Sequence, residues 1–252
     1  VASSHPTAVL GLFAGAKSVL FDFDGPICHL FERHPAPRIA AELRDWARLN
    51  LPDGLPAVPS ASFHDPLALL RAAAARHPES ELVSRMESRL TSHERRAAGI
   101  ADPTPGADQL IRRLDEAGYQ LAVTTNNSPD SVRIYLDRMA LTRHFGERRI
   151  HGRTGDLTLM KPNPACLRRA LAETGSTPAE SLMIGDSAAD CQAAARIGVP
   201  FLGYARNEPK WRQLIEAGAT EIVSSISELL PVLDDLESVA PPSDRPSTSK
   251  FL

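Results

Sequence analysis

One stretch constrains this chain more than any other: Lys17–Pro26, KSVLFDFDGP. Val19, Leu20 and Phe21 form a continuous apolar run, part β-branched and part aromatic, that stops at a turn signal. Strict alternation would mark a sheet with one wet face, whereas a continuous run asks for helices on both faces and hence a parallel sheet. In open parallel sheets the chemistry gathers at the carboxyl ends of the strands. Asp22 and Asp24 arrive at that end two residues apart, on one face if strand geometry continues. Carboxylates that close repel, and their pKa values rise unless a cation neutralises them. The economical reading is a divalent metal beside a nucleophilic carboxylate. The plain alternative is a strand end with an acidic turn, and the rest of the chain decides between them.

At 252 residues the chain can bury one large core, or one core and a small accessory module. Residues 1–16 read either as a weakly ordered leader or as a short helix ahead of the first strand. From Pro35 to about Ile100 the composition turns to Ala, Leu, Arg and Glu with no convincing strand. Arg38–Leu49 places Ile39, Leu43, Trp46 and Leu49 at helical spacing, and Leu51–Pro66 is a Pro-rich loop. Leu67–His77 and Glu79–Ala98 read as two further helices, the second amphipathic through Leu82, Met86 and Leu90. Strand–helix units then resume. The strands are expected at Tyr119–Thr124, Arg149–His151, Ser181–Ile184, Pro200–Gly203 and Glu221–Val223, and a last helix at Ile226–Leu236 carries the core residues Leu229, Leu230 and Leu233. The expected fold is α/β: a Rossmann-like parallel sheet core over residues 1–27 and 100–239, with an inserted all-helical cap over 28–99. The tail 240–252, rich in Pro and Ser, is expected to be disordered.

A net charge of −3 with interspersed signs offers no footprint for nucleic acid and no polybasic patch for a membrane. The three cysteines, Cys28, Cys166 and Cys191, form no CxxC pair, which fits a reducing cytoplasm better than a disulfide framework or a zinc site. The N-terminal stretch has no basic n-region and is a poor signal peptide, and no apolar run reaches membrane-spanning length.

Three strand ends carry polar residues suited to one task. The first delivers Asp22 and Asp24, the second Thr125 and Asn126, and the third Gly185, Asp186, Ser187 and Asp190, while Lys161 lies between the second and third. Asp186 and Ser187 also suit helix capping, Asp190 could complement a helix dipole, and a lone Lys161 could be a solvated loop residue. Taken together, FDFDG, VTTN, KPNP and IGDSAAD appear in the order of the motifs of the haloacid dehalogenase superfamily of aspartate-nucleophile phosphatases, which the chain resembles over about Lys17–Ile27 and Ala101–Leu236. The branch it resembles is the one with a helical cap after the first motif, similar to phosphoglycolate phosphatase and β-phosphoglucomutase.

That resemblance implies roles residue by residue. Asp22 would be the nucleophile, giving an aspartyl-phosphate, and Asp24 the acid and then the base. Gly25 would keep the turn clear for the incoming group. Thr125, the Asn126 backbone and Lys161 would bind the phosphoryl oxygens. Asp22, Asp24 through its carbonyl, Asp186 and Asp190 would hold Mg²⁺, an ion that suits oxygen ligands and a substrate phosphate. Asp24 points to oxygen leaving groups rather than halide. A Schiff-base phosphonate mechanism is excluded by the lack of any lysine between Gly25 and Gly99. Pro26 departs from the family's usual residue and stiffens the exit of the loop. His29, His34, Arg33, Arg38 and Arg71 are candidate substrate contacts, and Cys28 has no neighbouring base to make it reactive.

The implied activity is Mg²⁺-dependent hydrolysis of a small phosphorylated metabolite under a closing cap. A β-phosphoglucomutase-like isomerase is the alternative, and a non-catalytic binding module a third reading. The sequence leaves the oligomeric state open.

Overall fold

In the computed structural model, which describes residues 4–51, 55, 58–78 and 80–239, the run at Val19 is a central strand of a six-stranded parallel sheet. The chain begins with α1 (Pro6–Ala14), β1 (Ser18–Phe21) and β2 (Cys28–His29). It continues through the inserted helices α2 (Ala36–Asn50), α3 (Pro66–Arg76) and α4 (Glu81–Ala98) to β3 (Asp102–Pro103). Then follow α5 (Ala107–Glu116), β4 (Gln120–Thr124), α6 (Pro129–Arg138), α7 (Thr142–Phe145), β5 (Ile150–His151) and α8 (Ala165–Thr174). The chain closes with β6 (Ser181–Gly185), α9 (Ala188–Ala195), β7 (Phe201–Tyr204), α10 (Glu208–Glu216), β8 (Glu221–Val223) and α11 (Leu229–Val239).

The sheet order β5-β4-β1-β6-β7-β8 reverses direction at β1, so the crevice at the carboxyl ends of β4, β1 and β6 is the topological switch point where ligands bind in such sheets. Side-chain alternation along β1 explains the continuous apolar run. Val19 and Phe21 enter one core cluster with residues of α1, α5, α6 and α11. Leu20 enters another on the opposite face with Cys166, Leu167 and Ala170 of α8 and Ala193 and Ala194 of α9. All three cysteines are buried free thiols.

The first residues resolve in favour of a helix: α1 buries Val9 and Phe13, and Tyr119 Oη donates to the Phe13 carbonyl at 3.0 Å. The insertion is rooted on an antiparallel ribbon, Cys28 opposite Pro103 and His29 opposite Asp102. Its helices close on an apolar cluster with Ile39, Leu43 and Ala47 from α2, Leu69, Leu70 and Ala73 from α3, and Val83, Met86 and Leu90 from α4, joined by Leu157 and Met160 from the segment before α8. Leu49 corrects the expected stripe: it is 77% exposed, because the helix turns its buried face through Ala40 and Ala47 to Leu51. The last expected helix is likewise two elements, a 3₁₀ turn at Ile226–Glu228 followed by α11. Most of the Pro-rich phrase at 52–57, residue 79 and the tail 240–252 lie outside the described residues.

Candidate active site

The strand ends deliver their residues into one cleft of about 550 Å³, lined by Asp22, Asp24, Thr125, Lys161, Asp186 and Asp190 among others. Lys161 is at its centre and almost wholly buried. Its ammonium donates to Asp22 Oδ1 at 2.8 Å, to the Thr124 carbonyl at 2.8 Å, and to Asp190 Oδ1. Burial alone would push the Lys161 pKa down, but the charges of Asp190 and Asp22 outweigh it and hold the group protonated, well above its ordinary value. The alternative of a solvated loop lysine is therefore wrong.

The aspartates show the opposite imbalance. Burial, then the charge of Asp190, raises Asp22 to about 7 against the pull of Lys161. Burial, then the charge of Asp186, raises Asp24 to about 7, although the Leu30 N–H donates to its Oδ1 at 2.9 Å. Asp186 is also raised, by burial first, despite Lys210 Nζ at 2.8 Å from its Oδ2. The cleft thus carries more negative charge than its two lysines neutralise. Oxygen atoms of Asp22, Asp186 and Asp190 lie within 4.8 Å of one another, a donor set and a charge excess that fit a hard divalent cation.

Two glycines make this crowding possible. Gly25 has φ +117°, and a Cβ there would sit 2.6 Å from Asp186 Cγ. At Gly185 it would sit 2.6 Å from Asp190 Cβ. What the missing side chain of Gly25 clears is room for the Asp186 carboxylate. Gly25→Ala should cost about 1–3 kcal/mol of stability from the positive φ alone. It should also weaken divalent-cation binding by displacing Asp186, both readable in thermal melts with and without Mg²⁺.

Asp190 also has a second partner set. It is fully buried, and its carboxylate accepts from Lys161 on Oδ1 and from the Ser187 N–H (3.1 Å) and hydroxyl (2.7 Å) on Oδ2. With Ser187 it forms the capping box of α9. It anchors the lysine and the helix from within the carboxylate cluster that it shares with Asp22 and Asp186.

At the end of β4, Thr124 turns inward and its hydroxyl lies against Met183 Sδ, while Thr125 borders the cleft. Asn126 does more than sequence reasoning assigned. Its amide accepts from Lys161 N at 2.7 Å and donates to the Lys161 carbonyl at 3.0 Å, so the second strand end fixes the lysine's backbone. Arg71 of α3 donates to the same carbonyl at 2.9 Å.

Of the candidate contacts in the insertion, Arg71 alone lines the cleft. Arg33 pairs with Asp102, Arg38 with Glu42, and His29 with Glu32, while His34 stacks on His93. Phe31, His64, Asp65 and, from α10, Lys210 were missed. Asp65-Pro66 is a readable helix start, and Asp65 Oδ1 does accept from Leu67 N at 2.8 Å, but nothing local says that this helix end meets the cleft.

With three strand ends converging on a lysine and an uncompensated aspartate cluster, comparison with known proteins is decisive. The model of the haloacid dehalogenase-like hydrolases matches residues 16–198. The chain belongs to that family. Phosphoglycolate phosphatase 1 of Pseudomonas aeruginosa is 31% identical over 172 residues, covering 68% of this chain and 60% of that protein, so the match spans less than two thirds of the relative's length. A phosphoglycolate phosphatase of Pseudomonas savastanoi pv. phaseolicola is 31% identical over 257 residues, 96% of this chain and 90% of its own. Among solved structures, a putative beta-phosphoglucomutase of Bacteroides vulgatus superposes with a TM-score of 0.66 at 18% identity, covering 91% of this chain and 96% of that one. That likeness in fold extends over most of the chain. No described helix is long and apolar enough to cross a membrane.

Proposed function

We propose that this haloacid dehalogenase-like chain is a Mg²⁺-dependent phosphomonoester hydrolase for a small phosphorylated metabolite, with phosphoglycolate the first candidate because the curated relatives bear that name. The observation that carries it is the Asp22–Lys161 pair at the base of the cleft, with Asp24 held near neutrality beside it. Lys161 fixes Oδ1 of Asp22, leaving the other carboxylate oxygen to attack phosphorus. The new Asp22–phosphorus bond forms as the ester P–O bond breaks, and the leaving oxygen takes the Asp24 proton. Asp24, now ionised, removes a proton from water as that water attacks the aspartyl-phosphate, which releases orthophosphate and restores both carboxyl groups. Lys161, whose three N–H groups are engaged by Asp22, Thr124 and Asp190, would act on the phosphoryl oxygens through its charge, and Thr125 would reach them by turning its hydroxyl proton from Asn127. Asp22, Asp186 and the Asp24 carbonyl would hold Mg²⁺, with Asp190 helping directly or through a metal-bound water; when bound the ion supplies positive charge to the phosphoryl oxygens and offsets the crowded carboxylates. The helices of residues 28–99 would act as a lid over the cleft, in a protein working in the cytoplasm.

The test is hydrolysis of an aryl phosphate with Mg²⁺ and with EDTA, followed by a panel of small phosphorylated acids and sugar phosphates. Activity should require the metal and should be higher on a small acid than on a hexose phosphate. Sugar-phosphate isomerisation without phosphate release would favour the mutase alternative, and an inert protein would remove the hydrolase reading. Melting curves give an independent check. Asp22 and Asp24 titrate near 7 in the fold and near 3.8 when unfolded, so the fold binds the extra protons. Metal-free protein should therefore lose stability as pH rises from about 4 to about 7. Mg²⁺ should raise the melting temperature more at pH 8 than at pH 5, since only ionised carboxylates bind it.

A further inference from the structure

The polar face of α4 carries Glu87, Thr91 and Glu94 one turn apart, and all three converge on one guanidinium. Arg153 follows β5, and its side chain and that of Glu94 have no exposed surface. All five of its side-chain N–H groups are engaged. Nε donates to Glu87 Oε1 at 3.0 Å. Nη1 donates to Glu94 Oε1 and to the Asn126 carbonyl, both at 2.9 Å. Nη2 donates to Glu94 Oε2 and to Thr91 Oγ1, again both at 2.9 Å.

Glu94 is equally committed. Besides the guanidinium, its oxygens accept from Asn127 Nδ2 at 3.1 Å and from the Ser128 N–H at 3.0 Å. The Arg153 backbone N–H donates to the Asn127 carbonyl at 2.9 Å. Residues 126, 127 and 128, the turn that joins β4 to α6 beside the cleft, are thus each held by this pair. The preceding residue is Gly152, where a Cβ would sit 2.6 Å from the Asn127 oxygen, so the arginine's segment is pressed directly on the turn.

The grip extends to the hydroxyl in the cleft. A carboxylate accepts only, so the amide nitrogen of Asn127 must face Glu94. Its Oδ1 then faces Thr125 and accepts the hydroxyl proton at 3.0 Å, while the Asn127 N–H donates to Thr125 Oγ1 at 3.1 Å. Glu94 therefore sets the orientation of Thr125 through one intervening side chain.

A buried ion pair is weak evidence for stability, because apolar residues of similar volume usually fill such a place as well. Here the hydrogen bonds beyond the pair go mainly to the turn. We propose that Glu94 and Arg153 are positioning residues that hold residues 125–128 in the shape that receives a phosphoryl group, so that phosphate capture depends on a helix of the insertion. This rests on the phosphatase reading above. The carboxylates expected to face the metal sit at the ends of β1 and β6, outside this network, and should be indifferent to it.

The experiment compares wild type with Glu94→Gln, Arg153→Lys and Asn127→Ala. The readouts are KM and kcat for an aryl phosphate, the inhibition constant of orthophosphate, and the Mg²⁺ activation constant, below the melting temperature of each protein. Glu94→Gln turns a donor toward donors, and Arg153→Lys leaves most of the fork unfilled. Each should raise KM and weaken orthophosphate about tenfold or more, with the Mg²⁺ constant within about twofold of wild type. Asn127→Ala leaves the ion pair intact and so keeps the fold if the first two variants do not, and it should weaken orthophosphate similarly.

Glu94→Gln combined with Asn127→Ala should be little worse than either alone, since both cut one chain of contacts. Folded variants with a lower melting temperature but unchanged KM and orthophosphate inhibition would make the pair merely structural and overturn the proposal, as would additive effects in the double variant. A wild type that neither hydrolyses the aryl phosphate nor binds orthophosphate would instead defeat the phosphatase reading itself.

Discussion

Asp22→Asn should remove turnover by about 10⁴-fold or more, the scale on which loss of a covalent nucleophile is felt, while leaving the protein folded. The two halves of this expectation come from the same geometry. Asparagine keeps the shape and can still accept from Lys161, whose charge retains Asp190 as its partner. What is lost is the anionic oxygen that bonds to phosphorus. Burial and the Asp190 charge raise Asp22 to about 7, so its ionised form is costly in the metal-free fold at pH 8. The neutral variant escapes that cost. Metal-free Asp22→Asn should melt no lower than metal-free wild type at pH 8, and the gap between them should narrow as pH falls toward 4, where both side chains are neutral. Rapid acid quench with substrate present should recover a phosphorylated wild-type chain and an unmodified variant. A variant that kept a tenth of the wild-type rate would assign the nucleophile elsewhere.

How far these roles were legible depended on whether they were written locally. The strand run at Val19, the aspartates after it and the strand ends at Thr125 and Asp186 announce themselves, because burial on both faces and turn chemistry act within a few residues. The α4 helix shows the opposite case. Glu94 stands on what reads as the wet side of an amphipathic helix, and Arg153 as a loop arginine, yet they meet across 59 positions with no exposed surface. No spacing rule reaches that far. Leu49 fails for a related reason: helical periodicity allowed it in the stripe, and only the partner helices decide which edge of the stripe is covered. Gly25 and Asp190 were found, but the contact that each serves in the packing was not. A motif says that a residue is needed, whereas the neighbour that needs it, Asp186 for Gly25 and Lys161 for Asp190, comes from the packing.

Asp24→Asn should separate the two chemical steps. The Leu30 N–H that holds Asp24 Oδ1 finds the same acceptor in asparagine, so the loop should keep its shape. With an alkyl phosphate the leaving oxygen needs a proton, and turnover should fall by about 10²–10⁴-fold, the usual contribution of a positioned acid or base. With p-nitrophenyl phosphate the leaving group departs without help, so the first step should survive while water attack on the aspartyl-phosphate, which needs Asp24 as base, remains slow. The expected record is a burst of one nitrophenol per protein followed by a much slower phase, with the phosphorylated chain accumulating. The pH profile adds a second signature. Burial and the Asp186 charge place Asp24 near 7, so wild-type activity on the alkyl substrate should decline as pH rises through that acid's pKa. Since a nearby cation favours the ionised carboxylate, raising Mg²⁺ should move the decline to lower pH. The variant should lack this limb altogether. Equal losses on both substrates with no burst would reduce Asp24 to a structural carboxylate that braces the Leu30 turn.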